Sequence, residues 1–205
     1  MKSLFLNLGL LSSVLVTTVA CQKTPDLETA SAVKGDSVQL VQSLADLKTK
    51  SNAELAAMFA QGLATPIPSQ DNPGVAADGE GLPIIMAGGL AVNSFANQFW
   101  QGKVFTTDQS GQTTLINKLG MVDGISAVVT RLPEGLQKDG KPSILLDYSK
   151  SDVVLARQIR DEIRLVAPGL YLGMANIENP EISWRIFGLK RYTFVCWFAL
   201  QFPST

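Results

Sequence analysis

Histidine is absent from the 205 residues. That absence removes His-based triads, histidine general bases and most zinc sites from the chemistry open to the chain. Cysteine occurs only at Cys21 and Cys196, too few for a thiolate metal site. Charge is sparse at 17% and evenly divided, 17 Lys and Arg against 18 Asp and Glu. Without a basic excess to neutralise phosphates, no nucleic-acid partner is expected. Neither Gly-Lys-Ser/Thr nor Gly-x-Gly-x-x-Gly occurs, so no phosphate-cradling loop is present. Asp71 and Asn72 with Asp78 and Glu80 lack the spacing of a calcium loop. The expectation is a chain with no metal, no cofactor, no catalytic residues and no enzymatic activity.

What is present begins at the N-terminus. Lys2 supplies a positive charge, the apolar run Leu4 to Val16 follows, and Thr17, Thr18, Val19 and Ala20 lead into Cys21. A secretory signal has this order of charge, apolar stretch and small residues. Counted through to Ala20, about 17 residues with Asn7, Ser12 and Ser13 inside, the run is short for a spanning helix. A plain signal cleaved near Ala20 would leave Cys21 as an ordinary thiol. A cysteine directly after the small residues resembles the bacterial lipobox; Val19 and Ala20 fit that pattern, and Thr18 stands where leucine is usual. The resemblance implies cleavage of 1–20, acylation of Cys21 by groups such as palmitate, and a membrane anchor in the cell envelope. By the same resemblance, Gln22 after the cysteine implies the outer membrane facing the periplasm, in a host with two membranes. Residues 21–36 are polar and read as a flexible tether.

Residues 37–99 read as a helical and loop segment. Val38, Leu40, Val41, Leu44 and Leu47 recur at spacings of three and four. Asn52 is placed to cap a second helix, Ala53 to Ala60, with Gly62 as its stop. Residues 64–83 carry Pro66, Pro68, Pro73 and Pro83 and read as a loop, ordered or mobile. The stretch Ile84 to Phe99 stays open between strand, short helix and lid.

From residue 100 to 205 the pattern is β-rich: short apolar runs at 103–107, 113–119, 125–132, 143–149, 170–177, 182–187 and 190–202, separated by turn residues. One helix is expected among them, Asp152 to Val166, with Leu155, Ile159, Ile163 and Val166 as its apolar stripe and Pro168-Gly169 as its end. Its charged residues, Arg157, Arg160, Asp161, Glu162 and Arg164, then form a solvated face with weak local ion pairs. The last run has two apolar faces. Such a strand is central in a sandwich, or lines a barrel while its back packs on a helix.

The opening Trp100-Gln101-Gly102-Lys103-Val104-Phe105, with Leu115-Ile116-Asn117 in the next strand, resembles the lipocalin-like (calycin) barrels, although lipocalins proper have Gly-x-Trp. The passage from Arg160-Asp161-Glu162-Ile163 to Gly169-Leu170-Tyr171-Leu172-Gly173 is similar to the same group and, more loosely, to plastid lipid-associated proteins. The resemblance implies a mainly β fold with helices (α+β), an antiparallel lipocalin-like barrel or half-barrel, preceded by an N-terminal helical segment. It further implies a membrane-anchored lipoprotein that binds or carries a small hydrophobic ligand, a lipid or fatty acid. The ligand-lining candidates are Trp100, Phe105, Tyr148, Tyr171, Trp184, Phe194, Cys196 and Phe198, which an ordinary packed core would also explain. Asp147, with Arg157 or Arg185 as partner, is the candidate for a ligand's polar head or for closing the barrel end. The alternatives are a structural or assembly envelope lipoprotein that binds a protein partner, and a small lipid-modifying enzyme using Asp147 or Tyr148.

Replacing the acylation site tests the anchor directly. Cys21→Ala is expected to move the protein from the membrane fraction to the soluble fraction and to abolish incorporation of labelled palmitate.

Overall fold

The computed structural model describes residues 43–86, 100–120, 122–136, 138–179 and 191–203. The signal-like run 1–20, Cys21, the tether 21–36, the run 182–187, Trp184 and Arg185 lie outside the described residues.

Two short helices open the described chain, α1 (Leu44–Lys48) and α2 (Asn52–Gln61). Each starts at a serine whose hydroxyl accepts from the backbone N–H three residues on. The acid at that position, Asp46 or Glu54, accepts in return from the serine N–H. Two orphan donors per helix start are thereby satisfied. The cap of α2 is Ser51, where Asn52 was expected; Asn52 Oδ1 instead accepts from Trp197 Nε1 at 2.5 Å. Gly62 ends α2 as the sequence indicated.

Eight antiparallel strands then close into a barrel in sequence order: β1 (Ala77–Met86), β2 (Gly102–Thr107), β3 (Thr113–Leu119), β4 (Val122–Leu132), β5 (Ser143–Asp147), β6 (Ile159–Ala167), β7 (Leu170–Glu178) and β8 (Tyr192–Gln201). Closure is made by β1 against β8, from Glu80↔Gln201 to Met86↔Cys196. Full closure leaves no exposed sheet edge, and it excludes the half-barrel and sandwich alternatives.

Two expectations are corrected here. The first barrel strand lies within the segment read as helix and loop: β1 starts at Ala77, and Pro83 sits beside a register shift against β8, where a proline is tolerated. The expected helix over Asp152 to Val166 is instead a 3₁₀ turn, Val154–Gln158, followed by β6. A spacing of four is even, so Ile159 and Ile163 share a face in a strand as well as in a helix. Pro168 and Gly169 form the two-residue turn between β6 and β7, with Gly169 at φ +67°. That is the position of such turns where only glycine is unstrained.

The barrel has an inner and an outer core. Phe105, Leu115, Val129, Leu146, Tyr148, Ile163, Tyr171, Phe198, Leu200 and Phe202 are buried in the inner cluster. Trp197, Ala199, Leu170, Leu172 and Met174 face outward and are covered by Leu47, Leu55 and Phe59 of the helices. This is why both faces of β8 are apolar. At one barrel end the segment after α2 crosses the opening: Ile67 is fully buried in the inner core, Tyr171 donates to the Pro66 carbonyl at 2.7 Å, and Thr107 Oγ1 lies 3.2 Å from Ser69 Oγ. Short helix α3 (Pro68–Asp71) follows there.

Inside, large rings stand against glycines. A Cβ on Gly173 would meet the Phe198 ring at 2.2 Å, one on Gly79 the Phe202 ring at 3.0 Å, and one on Gly81 the Trp100 ring at 2.7 Å. Large and small inward positions thus alternate to fill a fixed space. Gly173→Ala is expected to cost about 1–3 kcal/mol through overpacking, lowering the thermal midpoint by roughly 2–4 °C per kcal/mol. Adding Phe198→Leu should restore part of the loss; equal midpoints for Gly173→Ala and the unaltered chain would refute the packing account.

Candidate functional site

Alternation along four strands brings four polar side chains together inside the barrel. Lys103 and Phe105 share the inward face of β2, Asn117 and Leu115 that of β3, and Asp161 and Ile163 that of β6, while Tyr148 follows β5. Lys103 Nζ donates to Asn117 Oδ1 at 2.8 Å, to Tyr148 Oη at 2.5 Å and to Asp161 Oδ2 at 3.3 Å. All three ammonium donors are used. Asn117 is saturated too: its Oδ1 also accepts from Trp100 Nε1 at 3.0 Å, and its Nδ2 donates to the Ile125 carbonyl and to Tyr148 Oη. Tyr148 donates onward to Asp161 Oδ2 at 3.3 Å. The ammonium lies 5.0–5.3 Å from the ring centroids of Trp100, Tyr148 and Phe198, a cation–π enclosure that compensates part of its lost hydration.

One lone atom breaks the pattern: Asp161 Oδ1 is buried with no hydrogen-bond partner. Lys103 and Asp161 are each only 4% exposed, so desolvation dominates their titration. Burial pushes Lys103 below the ordinary lysine range, opposed by Asp161. Burial raises the Asp161 carboxyl, opposed by Lys103. Tyr148 is raised by burial and then by the Asp161 charge. Cys196, half-buried, sits in the same electrostatic surroundings; burial pushes its thiol up to about 12, with Asp161 adding and Lys103 opposing. A thiol held so firmly protonated is a poor nucleophile.

The outward residues of β6 form a second set of buried charges. Arg160 pairs with Asp147 at 3.2 Å and Glu178 at 3.1 Å. Arg164 is fully buried, binds both oxygens of Asp139, and stacks 4.5 Å from the Phe59 ring centroid. Glu162 accepts from Ser143 Oγ at 2.6 Å and from the Leu136 N–H at 2.7 Å, and burial raises its carboxyl. Of the run expected to be a solvated helix face, Arg160, Asp161, Glu162 and Arg164 are therefore buried on the two sides of a strand, and only Arg157, in the 3₁₀ turn before it, is exposed. These ties fasten the 133–142 connection and α2 to the barrel wall.

The expected site residues divide accordingly. Phe105, Tyr148, Tyr171 and Phe198 are inside, and Trp100 packs edge-on to Phe198 at 5.7 Å between centroids. Phe194 is outside, 5.2 Å from Trp197 between centroids. A register shift between the Ala175↔Cys196 and Asn176↔Phe194 pairs reverses its side, as a bulge does. Asp147 faces outward and its partner is Arg160, while Arg157 Nε donates to the Ser151 carbonyl at 2.8 Å. Lys103, Asn117 and Asp161 were missed as site residues, although their alternation with Phe105, Leu115 and Ile163 was there to read. A surface cleft of about 500 Å³ is lined by Gln61–Pro66, Arg131, Lys141 and Pro142, and none of Lys103, Asn117, Tyr148 and Asp161 lines it.

Fold and site together define a closed eight-stranded antiparallel barrel with a buried Lys–Asn–Tyr–Asp cluster near one end. A protein from Thermomonospora curvata, known from its crystal structure, is similar over 78% of this chain and 93% of its own, at a TM-score of 0.44 and 13% identity. A likeness of that size transfers neither activity nor ligand. No family model matches the chain, and no curated protein matches it.

Removing one member of the buried pair, by Lys103→Met or Asp161→Leu, is expected to cost about 3–5 kcal/mol, and removing both much less. In the folded chain Asp161 keeps a proton that the unfolded chain loses near pH 3.9, so its contribution makes stability fall as pH rises above about 4. Lys103 acts at the alkaline end: the folded chain releases its proton below the unfolded value of about 10.4, so stability rises with pH approaching that value. Thermal unfolding across pH should show both slopes weakened in Lys103→Met/Asp161→Leu relative to the unaltered chain, with the acid-side contribution of Glu162, whose carboxyl burial also raises, left in place.

Proposed function

We propose that the chain is a lipid-anchored, non-enzymatic binding module, a lipocalin-like barrel that takes a small amphiphilic ligand such as a fatty acid. The observation that carries this reading is the inner cluster: an aromatic-walled cation near one barrel end, with an unsatisfied carboxylate oxygen beside it. Apolar pockets with a few converging polar groups are the usual form of such sites. Trp100 and Cys196 face this region and keep partial exposure, whereas Ile67, Phe105 and Phe202 fill the interior toward the other end. A ligand's apolar part would lie against Trp100 and Phe198. Its carboxylate would draw on Lys103 by taking over one of the donors now given to Asn117, Tyr148 and Asp161, and a hydroxyl would donate to Asp161 Oδ1. Attachment at Cys21 would keep the module at the outer membrane, on the periplasmic side.

The density of the inner core favours a second reading, a structural or assembly lipoprotein acting through its surface. Lipid extraction and mass spectrometry separate the two. The carrier reading expects co-purified lipid, displacement of an environment-sensitive fatty-acid probe, and roughly tenfold or greater loss of probe affinity in Lys103→Met, as for a charge-assisted bond. Absence of both lipid and probe binding in folded protein would leave the surface reading standing.

A further inference from the structure

The connection between β5 and β6, residues 148–158, presents three consecutive apolar side chains to solvent: Val153, Val154 and Leu155, exposed by 39%, 67% and 50%. Single exposed aliphatic residues are ordinary; a contiguous run on a projecting loop is not. The loop is well tied. Ser151 N–H donates to the Tyr148 carbonyl, Val153 N–H to Ser151 Oγ, Ala156 N–H to the Val153 carbonyl, and Arg157 Nε to the Ser151 carbonyl. Ala156, in the 3₁₀ turn, is buried in the inner core. With Ala156 pinned inside, the three residues before it are held outward and cannot fold back onto the barrel.

Exposed cations stand on both shoulders of this tip, Lys150 before it and Arg157 after it, with Asp152 the single carboxylate of the loop. Apolar residues flanked by cations suit the boundary layer of a bilayer, where aliphatic groups pass below the headgroups and cations remain among the phosphates. The loop begins at Tyr148, a member of the inner cluster, so it lies at the same barrel end as Trp100 and Lys103.

We propose that the Val153–Leu155 tip inserts into the interfacial layer of an anionic bilayer and turns the Trp100–Lys103 end of the barrel toward the lipid. This contact belongs to the folded domain and does not depend on acylation of Cys21 or on a ligand inside the barrel.

The test uses the full chain with Leu155→Trp, reconstituted with phosphatidylcholine vesicles containing phosphatidylglycerol. Emission is taken as a difference from the chain without the added tryptophan. The expected results are a shift to the blue on vesicle addition, quenching by lipids brominated on the acyl chain, and protection from acrylamide. Val154→Asp added to Leu155→Trp should return the emission to its position in buffer, with an unchanged thermal midpoint showing that the fold is kept. The same lipid quenching in the Cys21→Ala background separates tip insertion from acyl anchoring. An unshifted, acrylamide-accessible tryptophan overturns the proposal. So does a shifted tryptophan that brominated lipid cannot reach, which would assign the tip to a protein partner.

Discussion

An eight-stranded barrel encloses little more than the volume of its own inward side chains, and that limit governs the rest of this structure. Phe198, Phe202 and Trp100 can occupy the interior because Gly173, Gly79 and Gly81 stand opposite them without side chains. The glycines are therefore packing partners of the rings. Gly102 adds a backbone constraint: it sits at φ +130°, and a Cβ there would fall 2.0 Å from the Gly79 carbonyl oxygen and 2.7 Å from the Gly81 nitrogen. Closure through β1 and β8 depends on that close approach, because Gly81 and Leu200 are paired in the seam that seals the barrel.

Closure also removes Lys103 from water, and the polar cluster follows from that removal. An isolated buried ammonium is costly, so its donors must all be met and its charge balanced. Asn117, Tyr148 and Asp161 meet the donors from three different strands or their ends, and three rings face the charge. Within this cluster only Asp161 Oδ1 lacks a partner; Glu162 Oε2 and Arg164 Nε, on the outward face of β6, are the other buried side-chain atoms without one among the described residues. A buried acceptor left without a donor is costly, so Asp161 Oδ1 is the one point where the cluster is incomplete.

Strand positions were largely legible because alternation with turn residues is a local signal: the expected 113–119 is β3, and 103–107 falls within β2. The β6 segment misled because Leu155, Ile159 and Ile163 are four apart, a spacing that satisfies a helix face and a strand face alike. The charges Arg160, Glu162 and Arg164 reinforced the helix reading, since such runs usually face water. Their actual burial depends on Asp139, Asp147, Ser143 and Glu178, distant in sequence. The bulge that turns Phe194 outward is equally invisible locally, because it arises from register against β7.

The sequence by itself determined a β-rich chain without histidine chemistry, a helix start and stop before it, and a last strand with two apolar faces. These are properties of neighbouring residues and of composition. Only tertiary structure decided that the strands close, that the helices cover the outside of β7 and β8, and that Lys103 and Asp161, 58 residues apart, meet in one cluster. The reason is physical: alternation tells which side of a strand a residue faces, but closure and register decide what stands across from it.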